Sequence, residues 1–180
     1  MPRRRATTIA TEGRVALVEG PANSRMFIYL GGNYLHRIER ERRALYFGDL
    51  DLALVAEIIG TAGVEPGMRD ASFRHKHKDF AGAIPVEEQR AVNASSIAIA
   101  AGIPRETVRR KIRKLLALGF IVEKEPARYV LKPGILLAPE RQAAFGRSIE
   151  QTVRFMNELL ENGVVRWLPA KKTRQGTRKG

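Results

Sequence analysis

Residues 94–120 constrain the fold more than any other stretch. The short apolar run "ASSIAIAA" meets Gly102, and "IPRETVRRKIRKLLALGF" follows. At roughly 100° per residue, Val108, Ile112, Leu115 and Leu116 gather on one side of the second segment. Glu106, Arg110, Arg113 and Lys114 fall on the other side, with Arg109 and Lys111 flanking. A helix of this kind buries one face and keeps the other in solvent. Its partner is the short helix before it. Ala98 is small where the two must approach, Ala101 lets the turn close, and Ile103 fills the angle between them. Gly102 supplies the unusual backbone angles of the turn, and Gly119 is suited to stop the second helix. Together these residues predict a helix-turn-helix.

The next stretch, "FIVEKEPARYVLKPG", holds two β-prone runs, 120–122 and 129–131, around a proline turn. That pattern predicts a small hairpin and makes the unit a winged helix-turn-helix. The expected fold class is mainly α: a winged helix-turn-helix with a small β-hairpin wing, flanked by long N- and C-terminal helices. On the N-terminal side a helix is expected to start near Asn23 or Ser24. Phe27, Leu30, Tyr34, Leu35, Ile38 and Leu45 recur at helical spacing up to Gly48, opposite a charged "HRIERERR" face. Gly31 and Gly32 sit inside it, which predicts a bend or a close helix crossing. Asp49 or Asp51 then caps "LDLALVAEIIGTAG", apolar on nearly every side, and such a helix is buried in a core or between subunits.

Residues 63–84 show no period and several breakers, which predicts a long loop. Pro85 suits the first turn of a helix through "VEEQRAV". Pro139 opens a last helix with Phe145, Ile149, Val153, Met156, Leu159 and Leu160 at helical spacing. The expected organisation is a flexible basic arm (1–20), where "RVALVEG" has the makings of a short strand, and an N-terminal helical, dimerising region (21–62). The long loop (63–84), the winged helix-turn-helix (85–136), the C-terminal helix (137–168) and a basic tail (169–180) follow.

The chain has 180 residues, no cysteine and a formal net charge of +13. The missing cysteines exclude disulfides, thiolate metal sites and cysteine nucleophiles. The charge predicts attraction to polyanions, nucleic acid first. No run approaches the eighteen apolar residues of a membrane span. "VALV" is too short for a signal-peptide core, so a cytoplasmic, soluble protein is expected, with no membrane partner. There is no Gly-x-Ser-x-Gly elbow, P-loop or His-rich metal signature. "HKHKD" would bring His75, His77 and Asp79 together on a strand, but no further His pair lies nearby. A binding protein is therefore expected, with no enzymatic activity, no cofactor and no metal.

Duplex DNA accepts one α-helix in its major groove, and Arg reads guanine edges through a paired hydrogen-bond fork. Side chains on the first two turns reach bases, which selects Arg105, Glu106, Arg109 and Arg110. Thr107, Arg113, Lys114 and the helix-start hydroxyls Ser95 and Ser96 are the phosphate candidates. Lys124 and Arg128, on the hairpin, are placed to touch the adjacent minor groove. The arm "PRRR" and the tail "KKTRQGTRKG" add either minor-groove or nonspecific affinity, or are ordinary ends.

The stretch "SSIAIAAGIPRETVRRKIRKLLALGFIVEKEPARYVL" resembles the winged helix-turn-helix of bacterial transcription regulators of the MarR and GntR kinds. The "GIPRETVRRKIRKL…GFI" pattern is similar to their turn, recognition helix and entry to the wing. Pro104 stands where that family usually has a Ser or Thr cap, and the wing tip is short. The resemblance implies double-stranded DNA as partner and a homodimer on a pseudo-palindrome. Independently, the all-apolar "LALVAEII" and the stripe Ile149–Val153–Met156–Leu160 are more than one chain is expected to cover. Two other functions fit the same residues. One is a winged-helix module that docks on protein or RNA. The other is a repressor sensing a small-molecule effector, with a pocket between the flanking helices and the winged domain, near Tyr34, Phe155 and Trp167.

Overall fold

The computed structural model describes residues 13–18, 23–79 and 82–169. Among them are six α-helices and five short strands, so the chain is mainly helical with a little antiparallel sheet. None of these helices is long and apolar enough to cross a membrane. The chain divides into two units: residues 1–35 with 151–180, and residues 36–150.

The larger unit is built around α2 (Leu50–Met68). Asp49 caps it, its carboxylate accepting from the Leu52 amide at 3.0 Å. Leu52, Ala53, Val55, Ala56 and Ile59 are buried. Helices α4 (Ala94–Ala101) and α5 (Arg105–Ala117) and strand β4 (Arg128–Leu131) pack on them. The two alanines let those elements approach closely. Much of the apolar girth of α2 is therefore covered within its own unit. Strands β2 (Val92–Asn93), β4 and β3 (Ile121–Glu125) form a three-stranded antiparallel sheet in the order β2–β4–β3. Ile121 pairs with Leu131 and Val122 with Val130, and an irregularity between Glu123 and Glu125 twists the hairpin end. The strands run further than the β-prone runs suggest, leaving a two-residue tip, Pro126–Ala127.

The expected long loop, 63–84, is largely helical. Helix α2 continues through Pro66 to Met68, and α3 (Ala71–Lys76) follows, capped by Asp70. The breakers there serve packing. Gly63 is buried, and its carbonyl accepts from the Arg90 amide at 2.8 Å. A Cβ on Gly67 would meet the Phe73 ring at 2.7 Å, so this glycine permits a close approach rather than a turn. Glu88 grips Lys76 at 2.7 Å and His77 at 2.9 Å. Those two bonds hold the Glu88 carboxyl below its ordinary value. In turn, the helix expected after Pro85 shrinks to one 3-10 turn, Val86–Glu88. Gln89 is buried, its amide donating to the carbonyls of Ile84 and Leu131, both at 3.1 Å, and the chain beyond it joins the sheet.

The smaller unit pairs β1 (Gly13–Leu17) with β5 (Val165–Pro169) in an antiparallel ribbon. Part of the expected arm is thus a strand, because Val15 faces a small core of Leu30, Leu159, Val164 and Val165. The end of the C-terminal segment is likewise a strand and not helix: α6 covers Pro139–Glu161. Helix α1 covers Ser24–Leu45. Asn23, just before α1, donates its side-chain amide to the Gly163 carbonyl at 2.7 Å. Tyr34 stacks on Phe155 with centroids 4.6 Å apart, and its hydroxyl lies 3.0 Å from that of Thr152. Nothing stands within 4 Å of a Cβ added at Gly31 or Gly32, so no close crossing explains them. "PRRR" and "KKTRQGTRKG" lie outside the described residues.

Candidate nucleic-acid interface

Local chemistry sets the entrance to α5. The Asn93 side chain accepts from the Ser96 amide at 2.9 Å and so starts α4. At the other end Gly102 adopts φ +67°, and its amide returns to the Ala98 carbonyl at 3.0 Å. That left-handed residue turns the chain sharply. Pro104 precedes α5 with no side-chain cap, but its carbonyl accepts from the Val108 amide at 3.1 Å.

Within α5, Val108, Ile112 and Leu115 are buried, while Leu116 is half-buried against the same core. The outer face holds Arg105, Glu106, Arg109, Arg110, Arg113 and Lys114, all exposed. Thr107 is half-buried. Lys111 turns the other way: its ammonium donates to both Asp49 carboxylate oxygens, at 2.6 and 2.8 Å, and Lys114 approaches one of them at 3.4 Å. Burial alone would raise the Asp49 carboxyl. The bonds from Lys111, the Leu52 amide and Lys114 outweigh it and hold the group below its ordinary value. The aspartate thus caps α2 and fixes the rotation of α5 about its axis.

A groove of about 540 Å³ opens between the start of α4, the outer face of α5 and the hairpin tip. Ser95, Arg105, Glu106, Arg109, Arg113 and Arg128 all line it. Arg110, Lys114, Ser96 and Thr107 do not, though the first three are exposed beside it. Lys124 is elsewhere. Its ammonium donates to the carbonyls of Gln89 at 2.7 Å and Glu87 at 3.2 Å, tying β3 to the 3-10 turn. Its place on the hairpin made it a minor-groove candidate, and nothing local marks the two carbonyls that hold it. The groove also includes Asn93 and Tyr129, which have cap and strand signals of their own. Only the fold shows them as neighbours of the arginines.

Glu106 lies 3.5 Å from Arg109 and 3.4 Å from Arg113, and Glu125 lies 3.7 Å from Arg128. These are long, exposed ion pairs, which contribute little and exchange readily for a stronger anion. Four guanidinium forks around one groove suit planar, bidentate acceptors such as phosphate oxygens or a guanine edge. Among the described residues no three His, Asp or Glu side chains stand close enough to hold a metal ion. His77 follows a helix and not a strand, and packs on the Phe73 ring at 4.5 Å between centroids.

Comparison with family models, with curated proteins and with solved structures finds no match for this chain.

Proposed function

We propose that this protein is a cytoplasmic, sequence-specific DNA-binding transcription regulator, a binder and not a catalyst. In this proposal α4, the Gly102 turn and α5 form a helix-turn-helix, and the β3–β4 hairpin is its wing. Helix α5 enters the major groove of double-stranded DNA and the hairpin tip follows the adjoining backbone. The observation that carries the proposal is the division of α5. Its apolar side chains are sealed in the core, while Arg105, Arg109, Arg110 and Arg113 stand outward and exposed, with no other element among the described residues covering them.

Arg105, Glu106, Arg109 and Arg110 are the base-edge candidates. Arg113, Lys114, Thr107, Ser95, Ser96 and Arg128 approach the backbone. Lys124 is not among the contacts, given its two carbonyl bonds. Self-association is supported by apolar side chains left exposed, Phe27, Ile28 and Tyr29 on α1 and Ile149, Val153 and Met156 on α6. A homodimer would present two copies of α5 to two half-sites.

Selection of bound duplexes from a random library, followed by gel-shift titration, tests the proposal. Expected is a preferred duplex, bound with an affinity that falls steeply with salt. Equal displacement by any polyanion, with no preferred sequence, would favour a module that docks on protein or RNA instead. Sedimentation velocity on the free protein tests the dimer.

A further inference from the structure

The larger unit contains a second concavity, away from the basic groove. It measures about 900 Å³ and is walled by side chains such as Leu54, Val64, Leu131, Leu137 and Phe145. This is the volume range of small-molecule sites, and the wall is chiefly apolar. It lies apart from Tyr34, Phe155 and Trp167, where the sequence pattern places an effector pocket.

The wall also carries charged side chains, and one of them is almost fully buried. Arg141, in the first turn of α6, is 5% exposed. Its guanidinium lies 4.2 Å from the centre of the Phe120 ring and 5.5 Å from that of Tyr46. The Tyr46 phenol shares this environment and feels the charge of the guanidinium. No carboxylate pairs with it among the described residues. The three carboxylates on the wall are engaged elsewhere: Glu57 by the Arg42 fork at 2.9 and 2.7 Å, Glu41 by Arg147 at 2.9 Å, and Asp79 by an interaction of its own. A buried cation is costly unless an anion answers it. The position sharpens this cost, because the first turn of a helix is its positive end. Tyr46 does not neutralise the arginine. Burial, the largest influence on the phenol, keeps it protonated well above the ordinary range of cellular pH, so it remains a donor.

We propose that this cavity is a binding site for an amphipathic monocarboxylate, with the carboxylate on Arg141 and Tyr46 and the apolar body between α2, β4 and α6. A single guanidinium matches one carboxylate bidentately. A phosphate ester would bring a second charge with no buried partner. The site stands whether or not the chain binds DNA, and it is tested without DNA.

Dodecanoate is the probe, titrated by isothermal calorimetry into delipidated protein below its micellar range, beside its methyl ester and dodecylamine. Expected is saturable one-to-one binding of dodecanoate, with the ester and the amine at least about tenfold weaker. R141Q lowers dodecanoate affinity by about tenfold to hundredfold, while R141K retains part of it. L54W fills the cavity from the opposite wall and abolishes binding with Arg141 intact. Should R141Q fail to fold by circular dichroism, the ester comparison and L54W carry the test. Equal binding of acid and ester, an unchanged affinity in a folded R141Q, or no saturable binding of dodecanoate overturns the proposal.

Discussion

Two stretches of the larger unit are rich in arginine, and they behave differently. In the last part of α1, Arg42 forks onto Glu57, Glu41 receives Arg147, and Arg43 donates to the Gly48 carbonyl at 3.3 Å. These charges are tied to their own unit. On α5, Lys111 is tied down, its side chain 13% exposed against Asp49, and Lys114 reaches the same carboxylate only at 3.4 Å. Arg109 and Arg113 share Glu106 through long exposed pairs, and Arg105 and Arg110 have no carboxylate partner among the described residues. The sequence difference is small: "RIERERR" interleaves acids with bases, whereas "RETVRRKIRK" has one acid. Total basic charge therefore does not locate an interface. The supply of nearby carboxylates decides which arginines remain available for a polyanion.

The largest expected effect breaks this comparison if it is wrong. Replacing Arg109, Arg110 and Arg113 together by Ala should lower duplex affinity by about 10²–10³-fold and relax specificity, while the salt slope falls by only about 1, since Arg113 alone of the three is assigned to a phosphate. Arg42→Ala, which removes an α1 charge already answered by Glu57, should leave both unchanged. Gel shifts over a salt series measure this, and equal losses in the two variants would remove α5 as the interface.

Next comes Asp49, which belongs to neither stretch but orients one of them. Asp49→Ala removes the α2 cap and strands the half-buried Lys111 ammonium. The expected cost is about 2 kcal/mol, roughly half from the cap, read from urea midpoints. The pH dependence has a definite sign. A carboxyl held below its ordinary value in the fold contributes stability that is complete above the unfolded value, about 4, and lost as pH falls through the lower folded value. Asp49→Asn should lose that acid-side contribution, flattening the stability curve below about pH 4. An Asn variant with the parent's acid limb would assign the acid transition to other carboxyls.

The α5 division was legible because period and charge coincide there: Val108, Ile112 and Leu115 recur at helical spacing with nothing to mask them. The Gly102 turn was legible from equally local signals. Residues 63–84 were not. Gly63, Pro66 and Gly67 look like breakers, and only the nearness of Gln89 and Phe73 shows why small residues stand there. Which elements cover α2 was not legible, because sequence does not say that α4, α5 and β4 converge on it. Lys111 and Lys124 were likewise local in appearance and tertiary in fact. Arg141 carried no signal at all, being one more arginine near a helix start.

The turn between α4 and α5 offers a sharper test of how the cationic face is aimed. At Gly102 φ is +67° and nothing lies within 4 Å of an added Cβ. Gly102→Ala therefore costs only the left-handed backbone, about 1–2 kcal/mol, with no steric clash. Its thermal midpoint should fall while duplex specificity is kept, because the α5 face is set from below by Asp49. A change of preferred sequence in this variant would show that the turn, and not the Asp49–Lys111 contact, fixes the angle of the helix.

The smallest effect belongs to the paired arginines of α1. The Arg42 and Glu57 side chains are 27% and 41% exposed, so solvent screens much of their attraction. Their bidentate geometry still places them above the ordinary surface pair, and Arg42→Ala should cost about 1 kcal/mol. Duplex affinity and salt slope should not move, since that charge was already neutralised by Glu57. The two readouts are thus opposed across the molecule: charge removal on α1 lowers the urea midpoint and spares binding, and charge removal on the outer face of α5 does the reverse. If Arg42→Ala weakened duplex binding as much as Arg109→Ala, at unchanged stability, ion pairing inside the fold would not be what separates the two stretches. Duplex attraction would then follow the summed charge of the chain.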